Sequence, residues 1–307
     1  VSGIPFKLIE ALINHEYWSY SMLFAPRLLL FLVSIVVDEC VVRIIYGEQP
    51  SYSLEGSTTS LNRVNEEKSN TLGKKIDPVV LHQRYTVKLL YASLWPTLLF
   101  HTRTFSNTLE AFVLVWLVVL CCGDHSTSND KYRLKCIAIG VLSAVGLFVR
   151  FTFPMFAFPY VAYYLFINVW QRNLGAFRLS LIQSLRYLSL WIVGFCSMSS
   201  ILIWCDSIYY GQWTITPLNN LLYNMKADNL ALHTLHPRHL HLLVNMPMLY
   251  GPLFIGVVFK LVQKCNQIPH YRSGLFWTSL ASIIMGVGCL SLAPHQEPRF
   301  LLPCSLP

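Results

Sequence analysis

Long apolar runs separated by short polar segments dominate the chain. A helix needs about 20 mostly apolar residues to cross the hydrocarbon of a bilayer, and eight runs approach or reach that length. The sequence therefore predicts an all-α, polytopic transmembrane helical bundle. The eight predicted spans are Leu28–Ile45, Tyr85–Phe100, Leu109–Cys122, Cys136–Val149, Met155–Val169, Tyr187–Trp204, Leu240–Val262 and Leu275–Leu292.

Two neighbouring runs leave an alternative open. Cys136–Val149 and Met155–Val169 are short, and the segment "RFTFP" (residues 150–154) separates them. Proline at the fifth position of that segment interrupts a helix that continues from before it. The pair is therefore compatible with either two full spans or one re-entrant hairpin.

Composition supports a membrane protein over a soluble one. The chain is 54% hydrophobic and 12% charged, with a mean hydropathy of +0.47, whereas soluble domains are about 25% charged. The net charge of +8 is dispersed between the spans, so it does not indicate a nucleic-acid partner. The nine cysteines lie in or beside apolar runs without a C-x-x-C pair, which favours buried packing over disulfides or metal.

The distribution of lysine and arginine predicts the orientation in the membrane. With alternating spans, the loops 47–84, 123–135, 171–186 and 263–274 hold 13 Lys and Arg, against six in the opposite set. Such an excess marks the cytoplasmic side. We expect one incomplete transmembrane domain over residues 1–307, with a disordered cytosolic loop at 47–84, a non-cytosolic loop at 206–239 and a non-cytosolic polar motif at 294–300.

That polar motif is "PHQEPRF", directly after the last apolar run. At the water boundary, the planar guanidinium of Arg299 can bind phosphate oxygens in a forked arrangement, and His295 can add a donor. Glu297 can orient the arginine or accept a proton. A purely structural ion pair between Glu297 and Arg299 is the alternative.

Four stretches together resemble the glycosyltransferase family 22 mannosyltransferases, polytopic GT-C enzymes of the endoplasmic reticulum. "HQEPRFLLP" (295–303) is similar to their His-Lys/Gln-Glu-x-Arg-Phe signature, "HTRTFSNTLEAF" (101–112) to a luminal turn, and "VRFTFPMFAFP" (149–159) to an Arg-x-Thr-Phe-Pro break. The segment 216–251 and the Gln296 and Pro298 variants most resemble the family members that act on the GPI glycolipid.

The resemblance implies transfer of mannose from dolichyl-phosphate-mannose to the third mannose of a GPI precursor, in an α1,2 linkage with inversion. The implied localisation is the endoplasmic reticulum membrane, with the active face luminal. The partners are the lipid-linked donor, the GPI glycolipid acceptor and the membrane. No bound cofactor and no metal site are expected, and metal dependence stays open.

Roles for individual residues follow from the same resemblance. The implied phosphate-binding residues are His295, Arg299, Arg103 and Arg150. The implied acceptor or sugar contacts are Asn107, His233, His236 and Arg238. The family's acidic motif, of the His-Pro-Asp-Glu type, would precede this chain, which we interpret as a fragment. The catalytic base is therefore expected upstream, and Glu297 is the alternative base.

Several readings compete with these assignments. Ser106 and Asn107 can instead cap the helix near Leu109, and the histidines can instead bind metal or pack at the interface. A sibling mannosyltransferase of N-glycan precursor assembly is one alternative function, and a lipid-binding scaffold is another. A transporter is a third, although no duplicated halves are visible.

Overall fold

The computed structural model describes most of the chain, and the described residues are overwhelmingly helical. They are residues 15–46, 78–94, 96, 100, 106–122, 129–167, 177–225, 236–262, 270–293 and 296–305. No β-strand occurs within these ranges. The predicted all-α fold class is confirmed.

The described helices differ widely in length, and the longest exceed 30 residues. In chain order they are α1 (His15–Tyr46), α2 (Pro78–Ala92), α3 (Ser106–Cys122), α4 (Asn129–Val149), α5 (Phe153–Ala162), α6 (Phe177–Tyr210), α7 (Thr216–Met225), α8 (Met246–Tyr250), α9 (Pro252–Val262) and α10 (His270–Leu292). A π-helical segment, Tyr163–Ile167, extends α5, and another, His241–Asn245, precedes α8. A 3₁₀ segment covers Pro298–Ser305.

Helix α3 lies at the centre of the bundle. After Glu110, its sequence is apolar around the whole circumference, which is typical of a helix buried on all sides. Helices α1, α4 and α5 and the 3₁₀ segment all pack against it. Val115, Leu117 and Val118 are fully buried, and truncating such a residue to alanine costs about 2–5 kcal/mol. The first turn of α3 is thereby fixed relative to three other helices.

The most extensive helix pairing joins α4 and α6, and two glycines make it possible. A Cβ atom on Gly140 would lie 2.2 Å from the carbonyl oxygen of Trp191, and one on Gly194 would lie 2.3 Å from that of Ile137. Small residues allow helix backbones to approach this closely, as they do in membrane helix pairs. The two helices therefore meet backbone to backbone.

Three described helices are long and apolar enough to cross a membrane: Lys131–Val149, Ser180–Tyr210 and Gly274–Leu292. Ser106–Cys122 and Phe153–Phe166 are apolar but shorter. Many large apolar side chains on the outer surface are exposed, among them Ile182, Val193 and Ile201 on α6. An outward-facing apolar surface of this kind suits contact with lipid rather than water.

The structure corrects three of the predicted spans. Helix α4 begins at Asn129 and covers 21 residues, so the run that the sequence placed at Cys136–Val149 is long enough for a full span. The predicted span Tyr85–Phe100 is wrong as a single helix, because α2 ends at Ala92. Leu240–Val262 is also not one helix. It breaks at Gly251, which has a φ of +45° and precedes Pro252, a residue without an N–H to continue the helix.

Two predicted loops contain helical residues. The loop predicted at 47–84 includes the first residues of α2, which begins at Pro78, and the remainder, 47–77, lies outside the described residues. The loop predicted at 206–239 contains the end of α6 and all of α7. Helix α7 is tied to α6 by hydrogen bonds from the Thr216 hydroxyl to Asp206 and from the Thr214 N–H to Ser207.

Candidate active site

A cavity of about 510 Å³ opens at one end of the bundle. It lies where α3 begins and where α4 and α10 end, and α7 lies along its side. Its lining is Ser106, Val149, Arg150, Phe151, Thr152, Met155, Asn220, Leu221, Asn224, Met225, Cys289, Leu290, Leu292, Ala293 and Phe300. The lining is mainly apolar with a few polar groups, as in most ligand sites.

The cavity collects segments that the sequence placed in one set of loops. Ser106 belongs to the luminal-turn stretch 101–112, and Arg150 begins the break at 150–154. Asn220 and Asn224 belong to the segment 206–239, and Phe300 belongs to the C-terminal motif. These segments are distant in sequence but meet at a single end of the molecule. Which side of the membrane this end faces stays a prediction.

Among the described residues of the lining, Arg150 is the charged one, and several neighbouring groups bond to it. It follows the last residue of α4, and its backbone N–H still bonds to the Gly146 carbonyl. Its Nε donates to Glu110 Oε2 at 3.0 Å and to Thr152 Oγ1 at 3.2 Å. Its Nη1 donates to Ser106 Oγ at 3.1 Å and to Asn107 Oδ1.

The remaining nitrogen of Arg150, Nη2, makes no hydrogen bond to any described residue. Burial lowers the pKa of Arg150, and the neighbouring carboxylates of Glu110 and Glu297 oppose that change. Arginine nevertheless stays protonated in proteins. The cavity wall therefore carries a cation with one donor group left for a ligand.

Asn107 links the start of α3 to the C-terminal motif. Its Nδ2 donates to the carbonyl oxygen of Arg299 at 2.7 Å, across 192 positions of sequence. Its Oδ1 accepts from Arg150, and the residue is only 2% exposed. Both ends of the Asn107 amide are therefore bonded to protein groups, and its contact with a sugar stays a prediction. Asn107 also lies inside α3, so it is not the residue that precedes and caps the helix.

Arg299 lies beside the same site but does not line the cavity. Its guanidinium forms an ion pair with Glu297, as in the structural alternative. The guanidinium carbon of Arg150 lies 5.0 Å from the centroid of the Phe300 ring, and that of Arg299 lies 5.9 Å from it. The two cations thus share one aromatic ring, an arrangement that the attraction between cations and π electrons favours.

Gln296 anchors the motif to the preceding segment. It is 1% exposed, and its Oε1 accepts from the backbone N–H of His241 at 3.0 Å. Its Nε2 lies 3.2–3.3 Å from the carbonyl oxygens of Arg238, Ser291 and Ala293. These contacts use every polar atom of the side-chain amide, so Gln296 serves the fold rather than a ligand.

The other predicted site residues divide into two groups. His236 Nδ1 accepts a hydrogen bond from the Gln296 N–H at 3.3 Å, and the side chain of Arg238 is exposed. Neither residue lines the cavity. Arg103, His233 and His295 lie outside the described residues. Within the described part of the chain, no three His, Cys, Asp or Glu side chains are placed to share a metal ion.

A comparison with protein families identifies the chain over its whole length. The model of the Alg9-like mannosyltransferase family matches residues 1–307. The chain belongs to this family. No solved structure matches the chain.

Among individual proteins, this family member is similar to several fungal relatives that carry the name GPI mannosyltransferase 4. The Eremothecium gossypii protein is 39% identical over 211 residues, which are 66% of the chain and 37% of that protein. The Emericella nidulans protein is 32% identical over 237 residues, 74% of the chain and 40% of that protein. The Saccharomyces cerevisiae protein is 29% identical over 240 residues, 74% of the chain and 42% of that protein. The chain therefore spans about two fifths of the length of these relatives.

Sequence reasoning missed several residues of the site. No role was assigned to Glu110 from the sequence, although a carboxylate inside an apolar helix indicates a buried partner. Asn220 and Asn224 are four positions apart and share one helix face, which the amphipathic pattern of 216–225 could have indicated. The partner of Glu110 could not be predicted from the sequence, because Arg150 is forty positions away, beyond the end of α4.

Proposed function

We propose that this protein transfers mannose from dolichyl-phosphate-mannose to the third mannose of a GPI precursor, forming an α1,2 linkage with inversion. The observation that carries the proposal is the cavity at the end of an apolar bundle, which is lined by Arg150 and by Asn220 and Asn224 of α7. The family and the names of the relatives support the reaction class.

The lining of the cavity suits a lipid-linked sugar phosphate. Leu221, Met225 and Leu290 offer apolar surface for the polyprenyl chain close to its head. The free Nη2 of Arg150 and the guanidinium of Arg299 are the proposed donors to the phosphate. Guanidinium groups bind phosphate through paired, charge-assisted hydrogen bonds. Arg103 and His295 are proposed to complete this set.

The chemistry requires charge stabilisation more than a general acid. The phosphate leaving group is already acidic, so the site must stabilise the charge that it gains as the glycosidic bond breaks. An inverting transfer also needs one carboxylate to deprotonate the acceptor hydroxyl, by analogy with inverting glycosidases. We assign that role to an acidic residue upstream of Val1. Glu297 is the weaker alternative, because its pairing with Arg299 makes the carboxylate a poorer base.

The acceptor side of the site is proposed to include α7. Asn220 and Asn224 line the cavity, and amides of this kind can donate to and accept from sugar hydroxyls. Asn107 stays a candidate as well, although its amide already bonds to Arg150 and to the Arg299 carbonyl. His233, His236 and Arg238 stay candidates for the acceptor glycan. The endoplasmic reticulum membrane is the proposed location, with the cavity open to the lumen.

Replacement of Arg299 by alanine tests the proposal. The variant is expressed from the complete gene, and mannose transfer is measured in microsomes supplied with dolichyl-phosphate-mannose and GPI precursor. Removing one well-placed donor costs roughly a hundredfold in rate, and we expect at least that loss. The side chain is 37% exposed, and the carbonyl that Asn107 binds is retained, so the amount of folded protein should not change.

Arg186→Ala is the matched control, because Arg186 is an exposed arginine of α6 that does not line the cavity. It should transfer mannose at the wild-type rate. Wild-type transfer by Arg299→Ala would remove Arg299 from the mechanism. If the protein transferred mannose to an N-glycan precursor and not to the GPI precursor, the proposed acceptor would be wrong. The alternative function, a mannosyltransferase of N-glycan precursor assembly, would then hold.

A further inference from the structure

Glu110 is a carboxylate in the second turn of α3, inside the core of the bundle. It is 1% exposed, and the helix is apolar from Ala111 to Cys122. Burying a charged group costs free energy unless partners satisfy it. The mechanism proposed above gives this residue no role in binding or proton transfer. The presence of a buried carboxylate at this position therefore needs another explanation.

Both carboxylate oxygens of Glu110 are engaged. Oε2 accepts from Arg150 Nε at 3.0 Å, and Oε1 accepts from the Thr152 hydroxyl at 2.8 Å. The Thr152 hydroxyl in turn accepts from Arg150 Nε at 3.2 Å. Glu110 and Thr152 thus bind both Arg150 Nε and each other, which leaves the guanidinium plane little freedom to rotate.

A second nitrogen of the Arg150 guanidinium, Nη1, connects this network to the C-terminal motif through Asn107. Nη1 of Arg150 donates to Asn107 Oδ1, which fixes the orientation of that amide. Asn107 Nδ2 then donates to the Arg299 carbonyl at 2.7 Å. A continuous series of hydrogen bonds therefore runs from the Glu110 carboxylate to the backbone of Arg299.

Cohesion of the bundle alone does not require an ion pair here. Buried ion pairs can often be replaced by apolar residues of similar volume without loss of stability. Apolar residues could not orient a guanidinium at the cavity wall, nor set the amide of Asn107. The arrangement is therefore better suited to positioning than to holding helices together.

We propose that Glu110 is a positioning residue, which aims the free Nη2 of Arg150 into the cavity and, through Asn107, sets the backbone of Arg299. This inference rests on the proposed function, in which both arginines bind the phosphate of a lipid-linked sugar donor. Glu110 itself contacts neither donor nor acceptor.

The test compares Glu110→Gln with the wild type in the protein expressed from its complete gene. Rates are normalised to folded protein, measured by fluorescence-detected size-exclusion chromatography. A displaced catalytic group can cost on the order of a hundredfold in rate, and we expect a loss of tenfold to a hundredfold in kcat/KM for dolichyl-phosphate-mannose. KM for the acceptor should stay unchanged. A loss of folded protein alone would lower the maximal rate and leave both KM values as they were.

A double-mutant cycle separates positioning from stability. Arg150→Gln leaves the Glu110 carboxylate buried without its cation, so the Tm of the purified protein should fall. Adding Glu110→Gln removes that charge and should restore part of the Tm. Activity should not recover, and the double variant should be no slower than Arg150→Gln, because Glu110 then has no guanidinium to orient.

The control is Glu39→Gln, which removes a carboxylate from the exposed ion pair with Lys88, away from the cavity lining. It should leave both KM values and the rate unchanged. Wild-type kinetics for Glu110→Gln, with Arg150→Gln impaired, would overturn the positioning role alone. Wild-type kinetics for Arg150→Gln, or no mannose transfer by the wild-type protein, would overturn the proposed function and this inference with it.

Discussion

Gln296 illustrates, for a single residue, how a polar side chain can be essential to a site without touching a ligand. The sequence marks it as part of a motif suited to phosphate, between a histidine and a glutamate. In the structure its amide bonds to the backbone of His241, Arg238, Ser291 and Ala293. It fixes the position of the chain just after α10. The position of Arg299, three residues further on, depends on this anchor.

Replacement of Gln296 by alanine should therefore destabilise the protein. The buried N–H of His241 would lose its acceptor and the carbonyl oxygens their shared donor, and each unsatisfied buried group costs about 1–3 kcal/mol. We expect the free energy of unfolding to fall by about 3 kcal/mol, measured as a lower Tm of the protein purified in detergent. Gln212→Ala is the control, because Gln212 is exposed, and its Tm should match the wild type. Equal Tm values for the two variants would contradict the anchoring role.

Residue chemistry was predictable from the sequence, but partners were not. The motif residues predicted donors for phosphate, and the structure places the Arg150 and Arg299 guanidiniums beside one phenyl ring. The bond from Asn107 to the Arg299 carbonyl joins positions 192 residues apart, and no local pattern specifies such a contact. For that reason Asn107 was assigned to sugar or to capping, and the network around Glu110 was not foreseen.

Among the elements, the pairing of α4 and α6 depends on the absence of side chains at two positions. The backbone carbonyls of Trp191 and Ile137 occupy the space that a Cβ would need at Gly140 and Gly194. Long apolar runs predicted both helices, although α4 begins seven residues before the predicted boundary. Their register could not be predicted, because it depends on which small residue on one helix meets which carbonyl on the other.

Gly140→Ala should separate α4 from α6. The added methyl group would overlap the Trp191 carbonyl, and overpacking of this kind typically costs 1–3 kcal/mol, more than the gain of about 1 kcal/mol in helix propensity. We expect a lower Tm and less folded protein after extraction in detergent. Gly256→Ala on α9 is the matched control, since nothing lies within 4 Å of its Cβ position, and it should be as stable as the wild type or slightly more so. A Tm for Gly140→Ala as high as that of the control would contradict the close crossing.

On the scale of the whole molecule, apolar helices bring four distant polar segments to one end. The alternation of spans predicted that these segments share a side, and the cavity lining contains residues from or next to each of them. The segment 150–154 was correctly predicted as a break between two apolar runs, whereas the break at Gly251 inside the predicted span Leu240–Val262 was not predicted from hydropathy. Hydropathy averaged over a window of residues does not reveal a single residue, such as Gly251, whose backbone geometry ends a helix.

The central claim is that Arg150 and Arg299 receive the anionic head of a polyprenyl donor at this end of the bundle. The most direct test is a cryo-EM structure of the protein from its complete gene with bound dolichyl-phosphate-mannose. The account predicts that the phosphate oxygens lie about 2.7–2.9 Å from guanidinium nitrogens of these two residues, the range of charge-assisted hydrogen bonds, with the mannose toward Asn220 and Asn224. A phosphate bound outside the cavity, without either arginine as a donor, would contradict it.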